Sequence, residues 1–294
     1  NISSDISPTA GQMPRALGLA FASKVYRSNK DLHNRTDFTH QGNEVAWCTI
    51  GNASTSEGHF WEAVNAAGVM QVPLLISIWD DEYGISVHAE HQTTKQNLSA
   101  ILSGFKTDKF GKGIELYTVN GWDYAELINT YKKAAEVSRT QHTPVVVHVK
   151  EMTQPQGHST SGSHERYKSK DRLIWETEND CIHKMRSWII KNKIATEDEL
   201  DALEKEELSQ VKKDKTAAWK AFESEIKEEL SAAVKIIGEV SEEHANRLAS
   251  VFGPTRKDIL KHLHATIRDF TGSPEVEKVK AYYTDYLSKY QDIY

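Results

Sequence analysis

The chain has 294 residues, 38% hydrophobic and 27% charged, which suits one large globular domain or two small ones. No apolar run approaches the roughly 20 residues of a membrane-spanning helix, and two cysteines, Cys48 and Cys181, exclude both a disulfide framework and a four-thiolate zinc site. The net charge is −6, and twelve Asp/Glu against six Lys between Thr196 and Leu230 account for all of it, so no basic stripe is left to neutralise a nucleic-acid backbone.

The start, Asn1-Ile2-Ser3-Ser4, has no initiator Met, basic n-region or apolar h-region. A secretory signal is therefore not visible, and the chain reads as a fragment or as one whose beginning is missing. Met13 to about Val25 is Ala/Leu-rich and predicts a helix packed on a sheet. Glu44 to Ile50 predicts a buried strand ending at Gly51, Glu57 to Met70 a helix, and Val72 to Trp79 a second strand. A short helix is expected near Asn97–Leu102, a strand over Ile114–Val119, and a helix from Asp123 to about Thr140 opened by Asp123 and Glu126 in capping-box spacing. Val145-Val146-Val147-His148-Val149 is the fourth strand. Near-continuous apolar strands separated by helices predict an α/β domain over 1–155, a doubly wound, mostly parallel sheet covered on both faces.

Residues 156–170 are rich in Gly, Ser, His and Lys and predict a mobile surface loop. From 171 to 294 the pattern predicts a helical C-terminal extension. Trp219, Phe222, Ile226, Leu230, Val234 and Ile237 form one apolar stripe; Ile259, Leu263, Ile267 and Phe270 form another on a helix opened by Pro254. Gly272-Ser273-Pro274 breaks that helix before a Tyr-rich last one.

Chemistry concentrates at two strand ends. Asn52 follows the first predicted strand and Asp81 the second, and a strand–helix–strand unit puts both at the carboxyl edge of the sheet, where such folds bind ligands. Ser54, Thr55 and Ser56 lead into a helix start, whose free amides favour an anion. One carboxylate, one amide oxygen and a backbone carbonyl suit Mg²⁺ or Ca²⁺, which could bridge to a diphosphate. The plainer alternative is that Asn52 and Asp81 only cap helices or shape turns.

Gly51-Asn52-Ala53-Ser54-Thr55-Ser56-Glu57-Gly58, continuing to Asn65, resembles the thiamine-diphosphate motif of the alpha subunit of 2-oxo acid dehydrogenases, the decarboxylating component of the pyruvate and branched-chain complexes. Three further stretches match in order: Ser7 to Gly18, Val119 to Asp123, and Gly157-His158-Ser159-Thr160-Ser161 followed by Arg166-Tyr167-Lys168-Ser169-Lys170, which is similar to the family's active-site loop. The resemblance covers roughly 7–210. It implies a thiamine-diphosphate-binding fold, thiamine diphosphate and a metal ion as cofactors, and oxidative decarboxylation of a 2-oxo acid with acyl transfer to a lipoyl-bearing acyltransferase. It further implies that Asn52, Asp81 and the Tyr83 carbonyl hold the metal, that Ser7 and Thr9 lie against the cofactor, that Gly51, Ala53 and Ser54 approach the diphosphate, and that His158 acts at the reacting end. The glutamate that activates the aminopyrimidine belongs in this family to a beta-type subunit or domain, so a homodimer or heterotetramer with that partner is implied, in the cytoplasm or the mitochondrial matrix.

The chain departs from the pattern in places. Asn52 stands where the family has Asp, Ala53 where it has Gly, and Asp80-Asp81 where it has Asn-Asn; Asn52 with Asp81 still supplies one negative charge and two side-chain oxygens. Trp79 cannot make the phosphate contact of an Arg or Gln, and Thr9 is small where relatives are bulky. These departures also support a second reading, a non-catalytic binding or assembly module that keeps the fold without the cofactor. Without the resemblance His158 is a solvated loop histidine. Ser159 lacks the second Gly of a nucleophile elbow, and in some relatives its position is phosphorylated. His88, Glu90, His91, His262 and His264 lack zincin spacing and read as surface residues, Cys48 as core, and Tyr282, Tyr283, Tyr286 and Tyr290 as packing or interface aromatics.

Overall fold

The computed structural model describes residues 8–158 and 164–290. The chain divides into two compact units, 1–196 and 197–294. The sheet-bearing unit thus reaches beyond the expected end of the α/β domain at 155 and includes two helices of the expected C-terminal region.

In the first unit the elements run α1 (Gln12–Ser28), β1 (Ala46–Gly51), α2 (Gly58–Met70), β2 (Leu74–Trp79), a small hairpin of β3 (Tyr83–Gly84) and β4 (Val87–His88), α3 (Leu98–Leu102), β5 (Glu115–Asn120), α4 (Tyr124–Gln141), β6 (Val145–Lys150), α5 (Lys170–Glu178) and α6 (Cys181–Lys191). Among the described residues four strands form a parallel sheet in the order β1-β2-β6-β5. Strand side chains alternate between faces, and each face builds its own core. On one, Cys48, Ile50, Leu74, Ile76, Ile78 and Val146 meet Met13, Ala16 and Ala20 of α1, Phe60 and Val64 of α2, and Leu98 and Leu102 of α3. On the other, Leu75, Val119, Val145, Val147 and Val149 meet Ala134 of α4. Helices on both faces make this the expected doubly wound α/β arrangement.

The expected buried strand at 44–50 is in fact an edge. In β1 only Cys48 and Ile50 are buried, while Trp47 is half exposed and stacks 5.0 Å from Tyr131 of α4. Burial pushes the Cys48 thiol up to about 11, as befits a core residue. Asp123 caps α4, its carboxylate accepting from the Glu126 amide at 3.0 Å.

The second unit holds α7 (Glu197–Gly238), α8 (Glu242–Ala249), α9 (Arg256–Asp269) and α10 (Val276–Tyr290). Ala233, Ile237, Leu248, Ile259, Leu263, Val276 and Val279 form its core. The stripe on α7 packs only in its C-terminal part; Trp219 and Phe222 stay exposed, 5.7 Å from one another. Tyr286 and Tyr290 are buried and donate their hydroxyls to Glu229, which Arg256 also grips at 2.9 and 3.1 Å. The tyrosines are packing aromatics.

Candidate active site

Parallel strands direct their carboxyl ends to one edge, and β1 and β2 finish side by side there: Gly51 pairs with Trp79, and the Asn52 amide donates to the Trp79 carbonyl at 3.0 Å. After β1 the chain turns through a 3₁₀ segment, Ala53–Ser56, and enters α2. After β2 it folds into two successive Asx turns, in which Asp80 accepts from the Glu82 amide at 2.9 Å and Asp81 from the Tyr83 amide at 3.1 Å.

The two turns touch. A Cβ on Gly84 would lie 2.6 Å from the Ala53 Cβ and 2.6–2.7 Å from the Gln92 amide atoms, so this approach requires glycine. Backbone strain collects around it. Ala10, Glu82 and Ile85 have φ of 59°, 67° and 59°, a left-handed conformation that costs non-glycine residues of order 1–3 kcal/mol each and clusters at functional sites.

Between the turns lies a cleft of about 590 Å³, lined by Thr9, Gly51, Asn52, Ala53, Ser54, Trp79, Asp81, Tyr83, Met152, Gln154 and His158 among others. This volume is in the range of small-molecule and cofactor sites. Of the residues singled out from sequence, Thr9, Gly51, Asn52, Ala53, Ser54, Asp81, Tyr83 and His158 therefore share one cavity, while Ser7 and Ser159 lie outside the described residues. Asn52 is buried; His158 is exposed on the cleft wall. Trp79 is half exposed there, its indole donating to Ser77 at 3.0 Å.

The electrostatics of Asp81 are set by its position. Burial pushes its carboxyl up, outweighing the Tyr83 amide bond and the nearby Lys168 charge that pull it down. A divalent ion in the cleft would reverse that penalty. Asp81, the Asn52 amide and a turn carbonyl are hard oxygen donors, so the chemistry present fits Mg²⁺ or Ca²⁺. Among the described residues no three His, Cys, Asp or Glu side chains cluster as a metal site, so such an ion would depend on amide and carbonyl oxygens.

The dehydrogenase E1 component family model matches residues 2–227. The chain belongs to this family. The pyruvate dehydrogenase E1 component subunit alpha of Rickettsia typhi is 30% identical over 194 residues, 66% of this chain and 52% of that protein. The mitochondrial 2-oxoisovalerate dehydrogenase subunit alpha 1 of Arabidopsis thaliana is 26% identical over 191 residues, 63% of this chain and 35% of that one. Among solved structures, a transketolase from Pichia stipitis superposes with a TM-score of 0.40 at 17% identity, covering 77% of this chain and 32% of that one. The chain thus spans about half the length of the first of these curated relatives.

Other polar residues lie behind the cleft wall rather than on it, and of these only Lys168 falls in a stretch that the sequence singled out for function. His148, on β6 and buried, hydrogen-bonds Asp80 through Nε2 at 2.8 Å and Ser99 through Nδ1 at 2.6 Å. Lys168 and Glu176 form an ion pair with N···O distances of 2.7 and 2.9 Å, and Arg172 joins Glu176 at 2.9 Å. The expectation of a surface loop through 170 therefore fails at its end: Lys168 is buried because Glu176, nearly two turns into α5, supplies its counter-charge.

Proposed function

We propose that the chain is the alpha-type part of a thiamine-diphosphate- and metal-dependent 2-oxo acid decarboxylase that passes its acyl group to a lipoyl-bearing acyltransferase. The observation that supports this most is the single cleft shared by Thr9, Asn52, Ala53, Ser54, Asp81, Tyr83 and His158 at the carboxyl ends of β1 and β2. Bound there, the cofactor would supply the nucleophilic carbon and the electron sink for loss of CO₂.

The chain's residues divide the remaining work. Asn52, Asp81 and the Tyr83 carbonyl hold the divalent ion, with Asp81 giving the one formal charge of the set. Gly51, Ala53 and Ser54 face the diphosphate; Gly51 suits this because nothing lies within 4 Å of where its Cβ would be. Ser7 and Thr9 lie against the cofactor. His158 donates to the oxygen that gains charge at the substrate carbonyl, or orients the acyl group. Activation of the aminopyrimidine falls to a glutamate on a beta-type subunit or domain, so turnover requires that partner.

Titration calorimetry with thiamine diphosphate and Mg²⁺, in the presence of a matching beta chain, tests the reading. Saturable heat, and decarboxylation only when both chains are present, are the expected results. Absence of heat would favour the non-catalytic module that the Asn52, Ala53 and Trp79 departures also suit.

A further inference from the structure

We infer that Arg172 is the positioning residue that fixes the Asp81–Tyr83 turn, a role that bears on metal binding insofar as the function proposed above holds. Arg172 lies on α5, 91 positions beyond Asp81, and its guanidinium reaches three groups at once. Nη2 donates to the Asp81 carbonyl at 2.9 Å, Nη1 pairs with Glu82, and Nε donates to Glu176 at 2.9 Å. The planar fork presents fixed, divergent donors, which a lysine ammonium cannot do.

The hairpin holds one end of the turn, since the Glu82 carbonyl accepts from the Ala89 amide at 2.8 Å and Tyr83–Gly84 pairs with β4; the Asp81 carbonyl is held by Arg172. Glu82 is held in the left-handed region, φ 67°, and its amide and that of Tyr83 donate to the nearby Asp80 and Asp81 carboxylates. Arg172 holds the carbonyl end of the Asp81–Glu82 peptide whose N–H donates to Asp80. It also lies over the Tyr83 ring, 5.6 Å from its centroid, with the Lys168 ammonium 5.2 Å from the same ring. Glu176 locks the fork in place: it is 2% exposed and receives both Arg172 Nε and Lys168. The arrangement ties the segment after the His158 loop to the turn that carries Asp81 and Tyr83.

A change at Arg172 should therefore loosen the turn before it affects anything else. The test uses the full chain. Amide hydrogen exchange by NMR, with no metal or cofactor added, compares the parent with Arg172→Gln and Arg172→Lys. Mn²⁺ binding by EPR with thiamine diphosphate, on the complex with its beta-type partner, compares the same three. In Arg172→Gln the Glu82 and Tyr83 amides should exchange several-fold faster, and Mn²⁺ affinity should fall about 10–100-fold, the usual loss when a group orienting a ligand is removed. Arg172→Lys should keep the melting behaviour of the parent through its pair with Glu176 and still lose most of the Mn²⁺ affinity. Unchanged exchange at Glu82 and Tyr83 in Arg172→Gln overturns the assignment, and so does full Mn²⁺ affinity in Arg172→Lys, since charge alone would then suffice. If the parent takes up no Mn²⁺ while Arg172→Gln still loosens the turn, the hold on the turn stands and the cofactor reading falls.

Discussion

Replacing Glu176 by Gln isolates the energetics of the charged cluster beneath the cleft. The Lys168 and Glu176 side chains are 1% and 2% exposed, so neither charge is solvated once its partner is neutralised. Glutamine keeps the shape and one acceptor, but turns an amide N–H₂ toward an ammonium that now donates at 2.7 and 2.9 Å to a carboxylate. Breaking a buried pair by removing one charge costs about 3–5 kcal/mol, and a retained neutral hydrogen bond offsets about 1 of it. The net expectation is a loss of roughly 2–4 kcal/mol. Neutralising Glu223, whose bond to Lys227 is solvent-exposed, should change stability by less than about 0.5 kcal/mol and serves as the control. Urea melts followed by tryptophan fluorescence measure this, because six of the seven tryptophans lie within 1–196. The paired replacement Lys168→Met with Glu176→Leu should recover only part of the loss, since it removes the buried ammonium but still leaves Arg172 Nε without the acceptor it has at 2.9 Å. A cost below about 1 kcal/mol for Glu176→Gln would refute the reasoning, because Lys168 would then have found water or another acceptor.

Asp81→Asn should remove Mn²⁺ binding by EPR, whereas Asn52→Asp combined with Asp81→Asn should restore part of it, since one carboxylate returns to the ligand set; equal binding by all three proteins would rule out a metal role for Asp81. Gly84→Ala should lower the melting temperature and weaken thiamine diphosphate binding, because its Cβ would sit 2.6 Å from the Ala53 Cβ and overpacking of this kind costs about 1–3 kcal/mol. In the helical unit, burial raises the Glu229 carboxyl, but hydrogen bonds from Arg256, Tyr286 and Tyr290 win and hold it at about 2. A depressed folded-state value stabilises the unit fully above the unfolded value near 4.5 and loses that contribution as pH falls toward 2. The contribution is of order 3 kcal/mol at neutral pH, and urea melts by circular dichroism between pH 2 and 7 should show it for the parent but not for Glu229→Gln.

The sheet was legible because its evidence is local. Leu74 to Trp79 and Val145 to Val149 are nearly continuously apolar, broken only by Ser77 and His148, a pattern suited to a strand covered on both faces, and both proved central. Glu44 to Ile50 looked equally buried, yet Trp47 and Thr49 face outward; a local run of apolar residues does not record whether a strand has one neighbour or two. The stripe on α7 read as one face for the same reason. Periodicity marks which residues share a side of a helix, and the partner that covers Leu230 to Ile237 ends before Trp219. The pairing within the charged cluster was illegible on the same grounds, although Lys168 itself fell in the stretch resembling an active-site loop. Lys168, Arg172 and Glu176 fall in a polar stretch whose composition is that of a solvated surface, and the decisive contact of Arg172 is with a carbonyl 91 positions away.

Asp80 and Asp81 make the point most sharply, because sequence offered them as a pair in place of two asparagines. Adjacent residues leaving a strand take different directions, and the two carboxylates have separate tasks. Asp80 turns back to the sheet, where it bonds buried His148, whose other ring nitrogen bonds Ser99; Asp81 lines the cleft. The Asp80 carboxylate is thus hydrogen-bonded inside the fold. Of the two carboxylates, only that of Asp81 lines the cleft, beside the Asn52 amide. The exchange of acid for amide at Asn52 and of amide for acid at Asp81 therefore conserves a single charge in the cleft, whereas the acid at Asp80 is tied to His148, a buried strand residue whose partners lie 49 and 68 positions away. Asp80→Asn should accordingly cost stability through His148 and leave the charge facing the cleft intact, the opposite of what the same change at Asp81 does.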